Sequence, residues 1–233
     1  MRTVALPPRS MYYGTPVALI STINADGSEN LAAMSSSWSL RDRIVIGMGS
    51  ASQTAENIAR DREFTFNLAS AALWRQVEIL SSLTGKPEVP AHKAPQIRHD
   101  ADKWAASGFT RRASSQVRPA CVDECPLQME AVVEHIRAVA DEPEGFALIE
   151  ARVVALWAHE DVVAPDAGGV DAEQWRPLIF SFRSYRNAGT ELGRMARAVR
   201  GAPQAAAAAP SAPSAQAAAP SQPEQPRAET ANR

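Results

Sequence analysis

The chain has 233 residues, of which 45% are hydrophobic and 21% are charged, and its formal net charge is −2. That length suits one domain with a sizeable core or at most two small ones, and the near-neutral charge does not favour nucleic acid as a partner. No apolar run approaches the ~20 residues of a membrane helix, the N-terminal residues do not resemble a secretory signal, and the two cysteines are too few for a disulfide scaffold. We therefore predict a cytoplasmic protein with no membrane segment.

The first part of the chain predicts a run of β-strands. Residues 15–24 and 30–40 are extended in character. Gly27 between them suits a tight turn, because glycine accepts a positive φ, so the two segments form a predicted hairpin. Further strands are predicted over residues 43–49 (RIVIGMG) and 63–68 (EFTFNL).

Helices are predicted in the connections between and after these strands. Ser52 or Thr54 is suited to cap the N-terminus of a helix over residues 55–60. Apolar residues recur at helical spacing over residues 73–83, and Gly85 is suited to end that helix. Shorter helical patterns cover residues 99–106 and 188–199.

The second half of the chain returns to strands. Residues 128–139 and 146–159 are long and β-rich with a polar turn between them, and residues 178–182 form a short final strand. Strands and helices do not alternate regularly as they do in a doubly wound fold. The pattern predicts a mainly β (α+β) fold built on a closed or partly closed antiparallel barrel.

The composition changes sharply near Gly201. Residues 201–233 are almost entirely Ala, Pro, Ser and Gln, with few charges and no aromatic side chain. Proline interrupts any alanine helix there, and such a segment cannot form a core. We predict a folded domain over residues 1–200 and a disordered Ala/Pro-rich tail over residues 201–233, which is either passive or docks a partner.

Hydroxyl groups are dense at Ser35, Ser36 and Ser37, next to Trp38. Alternate residues of a strand share a face, so Ser35 and Ser37 would lie on one face and Ser36 and Trp38 on the other. This arrangement suits a ligand with polar heterocycle edges and an apolar ring face. The competing interpretation is an exposed serine-rich strand with Trp38 in the core.

A predicted strand runs directly into the helix that begins near residue 52. The first N–H groups of a helix have no partner within the helix, and the helix dipole adds partial positive charge, so such a terminus suits a phosphate. Ser50, Ser52 and Thr54 would add hydroxyl donors, and Asn57 lies one turn in. Because every helix has an N-terminus, an ordinary capped helix explains the same residues.

Four segments together resemble one known family. They are TPVALISTINADGSENLAAMSSSWSL followed by S-x-T-x-x-N, then EFTFNL, CPLQMEA and VDAEQWRPLIFSFRSYRNAGTELGRM. In this order, over roughly residues 10–197, they resemble the flavin reductase-like family of FMN-binding split-barrel proteins. The resemblance implies a six-stranded antiparallel Greek-key split β-barrel that binds FMN within residues 1–200. It also implies a homodimer with FMN near the subunit interface.

The resemblance implies three groups of residues around the flavin. The isoalloxazine ring and ribityl chain would be bordered by Ser35, Ser36, Ser37 and Trp38, with Thr15 and Pro16 near the ring. The phosphate would be held by Ser50, Ser52, Thr54 and Asn57. A far wall, from this subunit or its partner, would come from Phe182, Arg183 and Tyr185.

The implied activity is that of an oxidoreductase that passes a hydride from NAD(P)H through FMN to free flavin, a partner monooxygenase or another acceptor. Side chains would bind and position, so no catalytic nucleophile or base is predicted. Family members often carry a His near a Gly-x-Tyr element, whereas this chain has Phe182-Arg183-Ser184-Tyr185 there. A non-enzymatic flavin carrier, sensor or electron-transfer module is the rival hypothesis. A haem split barrel, which needs an axial His, is a third.

Other chemistry-bearing residues are set aside. Cys121 and Cys125 lie in a segment of extended character, where their Cα atoms would be ~13 Å apart and too far for a disulfide. The four histidines have no metal-ligand spacing, so no metal site is predicted. Three glutamates are interpreted as charges on the outward face of a half-exposed strand, namely Glu124, Glu130 and Glu134.

Overall fold

The computed structural model describes residues 1–5, 11–89, 94, 96–140, 145–166, 168–189 and 192. Within these ranges the chain forms mostly β-strands, with three short α-helices and two 3-10 turns. None of the helices in the described ranges has the length and apolar character to cross a bilayer. The tail predicted over residues 201–233 and most of the helix predicted over residues 188–199 lie outside the described residues.

All seven predicted strands are present, and two of them are divided. In chain order they are β1 (Tyr13–Pro16), β2 (Ala18–Ile23), β3 (Glu29–Met34), β4 (Ser37–Leu40), β5 (Arg43–Gly49), β6 (Glu63–Leu68), β7 (Leu83–Thr84), β8 (Arg98–His99), β9 (Arg111–Arg112), β10 (Cys121–Val122), β11 (Leu127–Val139), β12 (Phe146–Ala158), β13 (Leu178–Ser181) and β14 (Ser184–Asn187). The helices are α1 (Gln53–Asp61), α2 (Trp74–Ser81) and α3 (Lys103–Ser107), and the 3-10 turns cover Ala71–Leu73 and Glu160–Val162.

The main antiparallel sheet curls back on itself. Its strand order is β3-β2-β6-β11-β12-β5-β4, and its edge strands β3 and β4 are joined only by Ser35 and Ser36. Because so short a connection spans at most about 11 Å, the two edges must meet there, at a place that we call the seam. The Gly47 amide on β5 donates a 2.8 Å hydrogen bond to Ser36 O at the seam.

The mainly β split barrel is confirmed, but the predicted strand number is wrong. The main sheet in the described ranges has seven strands rather than six. The segment predicted as one strand over residues 30–40 contributes both edge strands, and its hairpin with residues 15–24 survives as β2 and β3. Residues 15–24 are themselves divided between β1 and β2. β1 leaves the main sheet to pair with β13.

β2 separates two cores, because alternate side chains of a strand point to opposite faces. Leu19 packs in an outer core with Leu80 of α2 and Trp104 of α3, whereas Ile20 packs inside the barrel with Phe64. Each such side chain contributes about 1.5–3 kcal/mol when fully buried. A slip of one residue would exchange the two sets, so the register of β2 is strongly specified.

Side-chain caps set the helix ends. Ser52 caps α1, because its Oγ accepts a 3.1 Å hydrogen bond from the Ala55 amide. Of the two predicted capping residues, Ser52 is therefore the one that the structure uses. α2 ends at Ser81, earlier than predicted. The hydroxyls of Ser81 and Ser82 donate to helix carbonyls three residues before them, at 2.9 and 2.7 Å, and thereby compete with the helical pattern.

The helix predicted over residues 99–106 begins late. Asp102 caps α3 by accepting a 3.2 Å hydrogen bond from the Ala105 amide, so the helix begins at Lys103. His99 instead lies on β8, which pairs with β7 in parallel. The N-terminal half of the predicted helix is therefore strand and turn, which brings β8 beside the end of α2.

Candidate functional site

The seam opens into two adjoining depressions that we call together the seam groove. The first has a volume of about 550 Å³ and the second of about 620 Å³, and they share Tyr12, Ser35 and Ser36. Volumes of this size are typical of small-molecule sites. The groove therefore lies where the two edge strands of the barrel meet.

Five of the predicted ring neighbours line the seam groove. Ser35 and Ser36 line both depressions, and the second depression is also lined by Ser37, Trp38 and Thr15. The assumed alternation of faces over residues 35–38 is wrong, because the strand breaks at Ser35 and Ser36. Pro16 is exposed on β1, apart from the residues described as lining the groove.

Trp38 is not a core residue. Its side chain is 59% exposed on β4, so the competing interpretation of residues 35–38 is wrong on this point. An exposed indole beside a groove is typical of a surface that contacts a ligand or another chain. This observation leaves the ligand hypothesis as the stronger one for the segment.

The Thr15 hydroxyl lacks a hydrogen-bond partner among the described residues. Its Oγ1 is also buried. A buried hydroxyl without a partner costs about 1–3 kcal/mol. Since Thr15 lines the second depression, a hydrogen-bonding ligand there would remove this cost.

The far wall of the groove is aromatic and comes from the same chain. Tyr12 and Phe180 meet edge to face with ring centroids 5.4 Å apart, and Phe180 and Tyr185 are 5.7 Å apart. Tyr185 Oη donates a 3.0 Å hydrogen bond to Glu78 Oε2 on α2. Burial raises the pKa of Tyr185 to about 12, so its hydroxyl stays protonated near neutral pH.

Two of the four predicted phosphate residues have partners inside the protein. Thr54 Oγ1 accepts a 3.0 Å hydrogen bond from Asn30, and Asn57 Nδ2 donates to Thr22 Oγ1 at 3.0 Å and Asn24 Oδ1 at 2.8 Å. Both side chains are buried, and neither is among the residues that line the seam groove. They tie α1 to β2 and β3.

The start of α1 also carries a cation that the sequence pattern did not reveal. Lys86 Nζ pairs with Glu56 Oε2 at 2.5 Å in the first turn of α1. Gly85 packs so closely against Gln53 that an added Cβ would lie 3.3 Å from the Gln53 Cβ. Nothing local in the sequence places this loop beside α1.

The two remaining phosphate candidates are differently placed. Ser50 is exposed, and Ser52 is occupied as the cap of α1. Ser50 lies two residues before this cap, and the first amides of a helix suit an anion. A phosphate role for Ser50, Ser52, Thr54 and Asn57 stays a prediction.

The expectation that Glu130 faces outward is wrong. The residue is fully buried, because the chain around residues 115–117 covers that face of β11. Its carboxylate accepts hydrogen bonds from the Ser115 amide at 3.0 Å, the Gln116 amide at 2.5 Å and Trp157 Nε1 at 2.8 Å. We call these four residues the Glu130 cluster.

The hydrogen bonds of the Glu130 cluster determine its ionisation. Burial alone would raise the pKa of Glu130, but the bonds from Ser115, Gln116 and Trp157 outweigh it and hold the pKa below its ordinary value. Glu134 on the same strand does face outward. It pairs with Arg43 at 2.9 Å and Arg152 at 3.2 Å.

Cys121 and Cys125 are buried free thiols. The segment between them is not extended as expected, because the Cys125 amide donates a 3.1 Å hydrogen bond to Val122 O and closes a turn. Burial raises the pKa of both thiols, which keeps them protonated and unreactive near neutral pH.

The curled sheet and the groove at its seam define a split-barrel protein with a candidate small-molecule site. Residues 10–189 match the family described as flavin reductase like domain. The uncharacterized protein YdfE of Bacillus subtilis (strain 168) is 36% identical over 194 residues, which cover 83% of this chain and 93% of that protein. The chain belongs to the flavin reductase like domain family, as the resemblance predicted.

Solved structures show the same fold. Flavoredoxin of Desulfovibrio vulgaris (Miyazaki F) has a TM-score of 0.69 at 21% identity, covering 85% of this chain and 100% of that one. Nitrilotriacetate monooxygenase component B from Bacillus cereus has a TM-score of 0.68 at 16% identity, covering 83% and 100%. At these identities the comparison establishes the split-barrel fold alone.

Proposed function

We propose that the chain is an FMN-binding oxidoreductase that takes hydride from NAD(P)H. The observation that carries the proposal is the seam groove of a flavin reductase family member. It combines the exposed Trp38 indole, the Ser35 and Ser36 hydroxyls, and the Thr15 hydroxyl, which has no hydrogen-bond partner among the described residues. An isoalloxazine ring has apolar faces and hydrogen-bonding edges, so this set of groups fits it.

The described residues suit each part of FMN. Hydroxyls at the seam can bond the ring edges, Trp38 can pack on a ring face, and the exposed Ser50 before α1 can face the phosphate. Bound flavin would supply the hydride chemistry. The chain itself binds, orients and excludes water. Tyr185 already donates its O–H to Glu78, so it can accept a hydrogen bond from a ligand but cannot act as a general base near neutral pH.

A homodimer is part of the proposal. Trp38 and Leu40 on the edge strand β4 and Leu156 on β12 are apolar and 59%, 65% and 60% exposed. Exposed apolar residues along a sheet edge are typical of an interface. Sedimentation velocity should show a dimer for the full chain and a monomer for Leu40→Glu, with Val170→Glu as the surface control. A monomeric parent protein would reject the dimer.

The first experiment is flavin binding by the purified full chain. Fluorescence titration with FMN should show saturable binding, and anaerobic NADH or NADPH should then bleach the visible flavin absorption. Absence of FMN binding in the titration would contradict the proposal, whether the flavin is prosthetic or an exchanging substrate. Faster bleaching with one nucleotide would give the donor preference.

The rival function, a flavin carrier or electron-transfer module, is favoured by one observation. None of the described histidines lines the seam groove, in keeping with the missing His near Tyr185. Steady NAD(P)H consumption with added FMN supports the enzyme, and bound flavin without consumption supports the carrier. The same observation places no described histidine in the groove to serve as the axial ligand that a haem needs.

The electron acceptor and the location also stay predictions. One structural relative is component B of a nitrilotriacetate monooxygenase, so transfer of reduced flavin to a monooxygenase is a route that we propose for this chain. Monooxygenase activity that depends on added chain and FMN would support it. The predicted cytoplasmic location is a further expectation.

A further inference from the structure

The β13–β14 hairpin ends above the first depression in a strained turn. Ser181 pairs directly with Ser184, and the two residues between them, Phe182 and Arg183, have φ of 44° and 66°. A two-residue connection with positive φ at both positions is a type I′ turn, which strongly prefers Asn and Gly. Neither residue is of that type, so the backbone is strained at both positions.

The strained turn is held in place rather than free. The Phe182 amide donates a 2.7 Å hydrogen bond to Tyr12 O, and behind the turn Phe180 and Tyr185 pack on each other. Arg183 lies at the edge of the first depression, which Ser35 and Ser36 also line. The fold therefore keeps an arginine beside the groove at the cost of an unfavourable backbone conformation.

Arg183 is the one charged residue among the described residues that line the groove, so no Asp or Glu is among them. Within the described ranges, no carboxylate lies within 4.0 Å of its guanidinium. Glu78 behind the aromatic wall is hydrogen-bonded to Tyr185 at 3.0 Å and Ser81 at 3.3 Å.

We propose that Arg183 binds a phosphate group of a ligand seated in the seam groove. A guanidinium presents parallel N–H donors that match phosphate oxygens, and it stays charged at all working pH values. The inference rests on the proposed function, which supplies two sources of the phosphate. One is the flavin mononucleotide, and the other is the pyridine nucleotide.

The experiment compares full-length variants of one hairpin. Arg183→Gln removes the charge, and Arg183→Lys keeps it. Arg186→Gln is the matched control, because Arg186 lies exposed on β14 and is not among the residues lining the groove. Affinity for FMN and for riboflavin is measured by fluorescence titration, and KM for NADH and NADPH by steady-state oxidation.

Either source of the phosphate gives a distinct result. If Arg183 binds the flavin phosphate, Arg183→Gln weakens FMN about tenfold or more and leaves riboflavin unchanged. If it binds the nucleotide, FMN affinity is unchanged and KM for NADH or NADPH rises about tenfold or more, with kcat little affected. In both cases Arg183→Lys recovers part of the effect, and raised salt reduces it.

Two results would overturn the inference. One is Arg183→Gln behaving as Arg186→Gln does in every titration, and the other is an equal loss of FMN and riboflavin. A parent protein that binds neither flavin would instead reject the proposed function, and the inference with it. Retained flavin binding by the parent protein separates the two failures.

The backbone strain gives an independent readout. Arg183→Gly relieves the positive φ, so we expect its Tm to rise while it loses the same ligand contact as Arg183→Gln. A glycine variant with higher Tm and unchanged ligand affinities would show that the arginine has no recognition role.

Discussion

Both carboxylate oxygens of the buried Glu130 are hydrogen-bonded, whereas the buried Thr15 hydroxyl beside the seam groove has no partner among the described residues. Both regions contain buried polar groups, but these groups are hydrogen-bonded in the first region and lack a partner among the described residues in the second. Trp157 packs into the Glu130 cluster and donates its N–H there, while Trp38 at the groove is 59% exposed. Each region therefore contains a tryptophan, which is partly buried at Glu130 and exposed at the seam groove.

The difference separates residues whose polar groups are paired within the chain from residues that we propose bind a ligand. Paired buried groups repay their desolvation within the chain, so removing one partner leaves the other unsatisfied. Unpaired hydroxyls, exposed rings and strained turns cost free energy in the chain alone and tend to occur at binding sites. Substitutions in the first region should change stability, and substitutions in the second should change binding.

The largest stability effect is expected at Glu130. Glu130→Gln places an NH2 group against the Ser115 and Gln116 amides, so we expect the free energy of unfolding to fall by about 3 kcal/mol in urea titrations. Glu134→Gln on the same strand, which weakens only partly exposed ion pairs, should cost less than about 1 kcal/mol. Equal losses would contradict the pairing described for Glu130.

The Glu130 effect should depend on pH. The folded pKa of Glu130 lies below its unfolded value, so its stabilisation is present above the unfolded pKa of about 4.3 and is lost as pH falls through the folded pKa. The stability difference between the parent protein and Glu130→Gln should therefore shrink in acid. A difference that does not change between neutral and acid pH would oppose this account.

The next effect tests the start of α1. Asn57→Ala removes the contacts to Thr22 and Asn24, and we expect a loss of about 2 kcal/mol. Ser50→Ala, at an exposed hydroxyl, should change stability by less than about 0.5 kcal/mol. If the phosphate lies here, Ser50→Ala should weaken FMN more than riboflavin, and an equal loss of both would remove Ser50 from the phosphate site.

A smaller effect is expected at Lys103, outside both regions. Its side chain is 4% exposed, and burial lowers its pKa to about 8 while the charge of Asp100 only partly offsets this. Charged Lys103 therefore destabilises the fold below that pH, and the parent protein should gain stability as pH rises from about 8 to about 10.5. Lys103→Met should be more stable than the parent protein at pH 7, and this advantage should fade towards pH 10.5. A constant advantage would contradict the titration.

The smallest stability effect is expected at Trp38. Because the indole is exposed, Trp38→Ala should change the free energy of unfolding by less than about 0.5 kcal/mol. The same variant should weaken FMN about tenfold if the ring packs on the flavin. Trp74→Ala is the control, because Trp74 is 41% exposed on α2 and is not among the residues lining the groove. Unchanged FMN affinity in Trp38→Ala would remove Trp38 from the site.

Local patterns predicted much of the secondary structure. Residues 43–49 and 63–68 coincide with β5 and β6, Gly27 turns the first hairpin with φ of 85°, and Ser52 caps α1. These features depend on residues a few positions apart, so they are visible in the sequence. The break at Ser35 and Ser36 was not, because it is imposed by closure of the sheet.

The candidate site was predicted in part for the same reason. Ser35, Ser36, Ser37 and Trp38 are neighbours in the chain, and their composition alone marked them. Lys86 at the start of α1 and Tyr12 in the far wall were missed, because strand pairing and helix packing bring them there from distant positions. Glu130 was misjudged because the segment that covers it lies 13–15 residues away in the chain.

By itself the sequence determined the class of fold, the family and the serine-rich segment, because hydrophobic periodicity, turn chemistry and motif order are local properties of the chain. The tertiary structure alone decided which polar groups find hydrogen-bond partners within the described residues and which do not. That distinction depends on what covers each group. Closure of the barrel leaves the seam uncovered, and folding of the mid-chain segment over β11 buries Glu130.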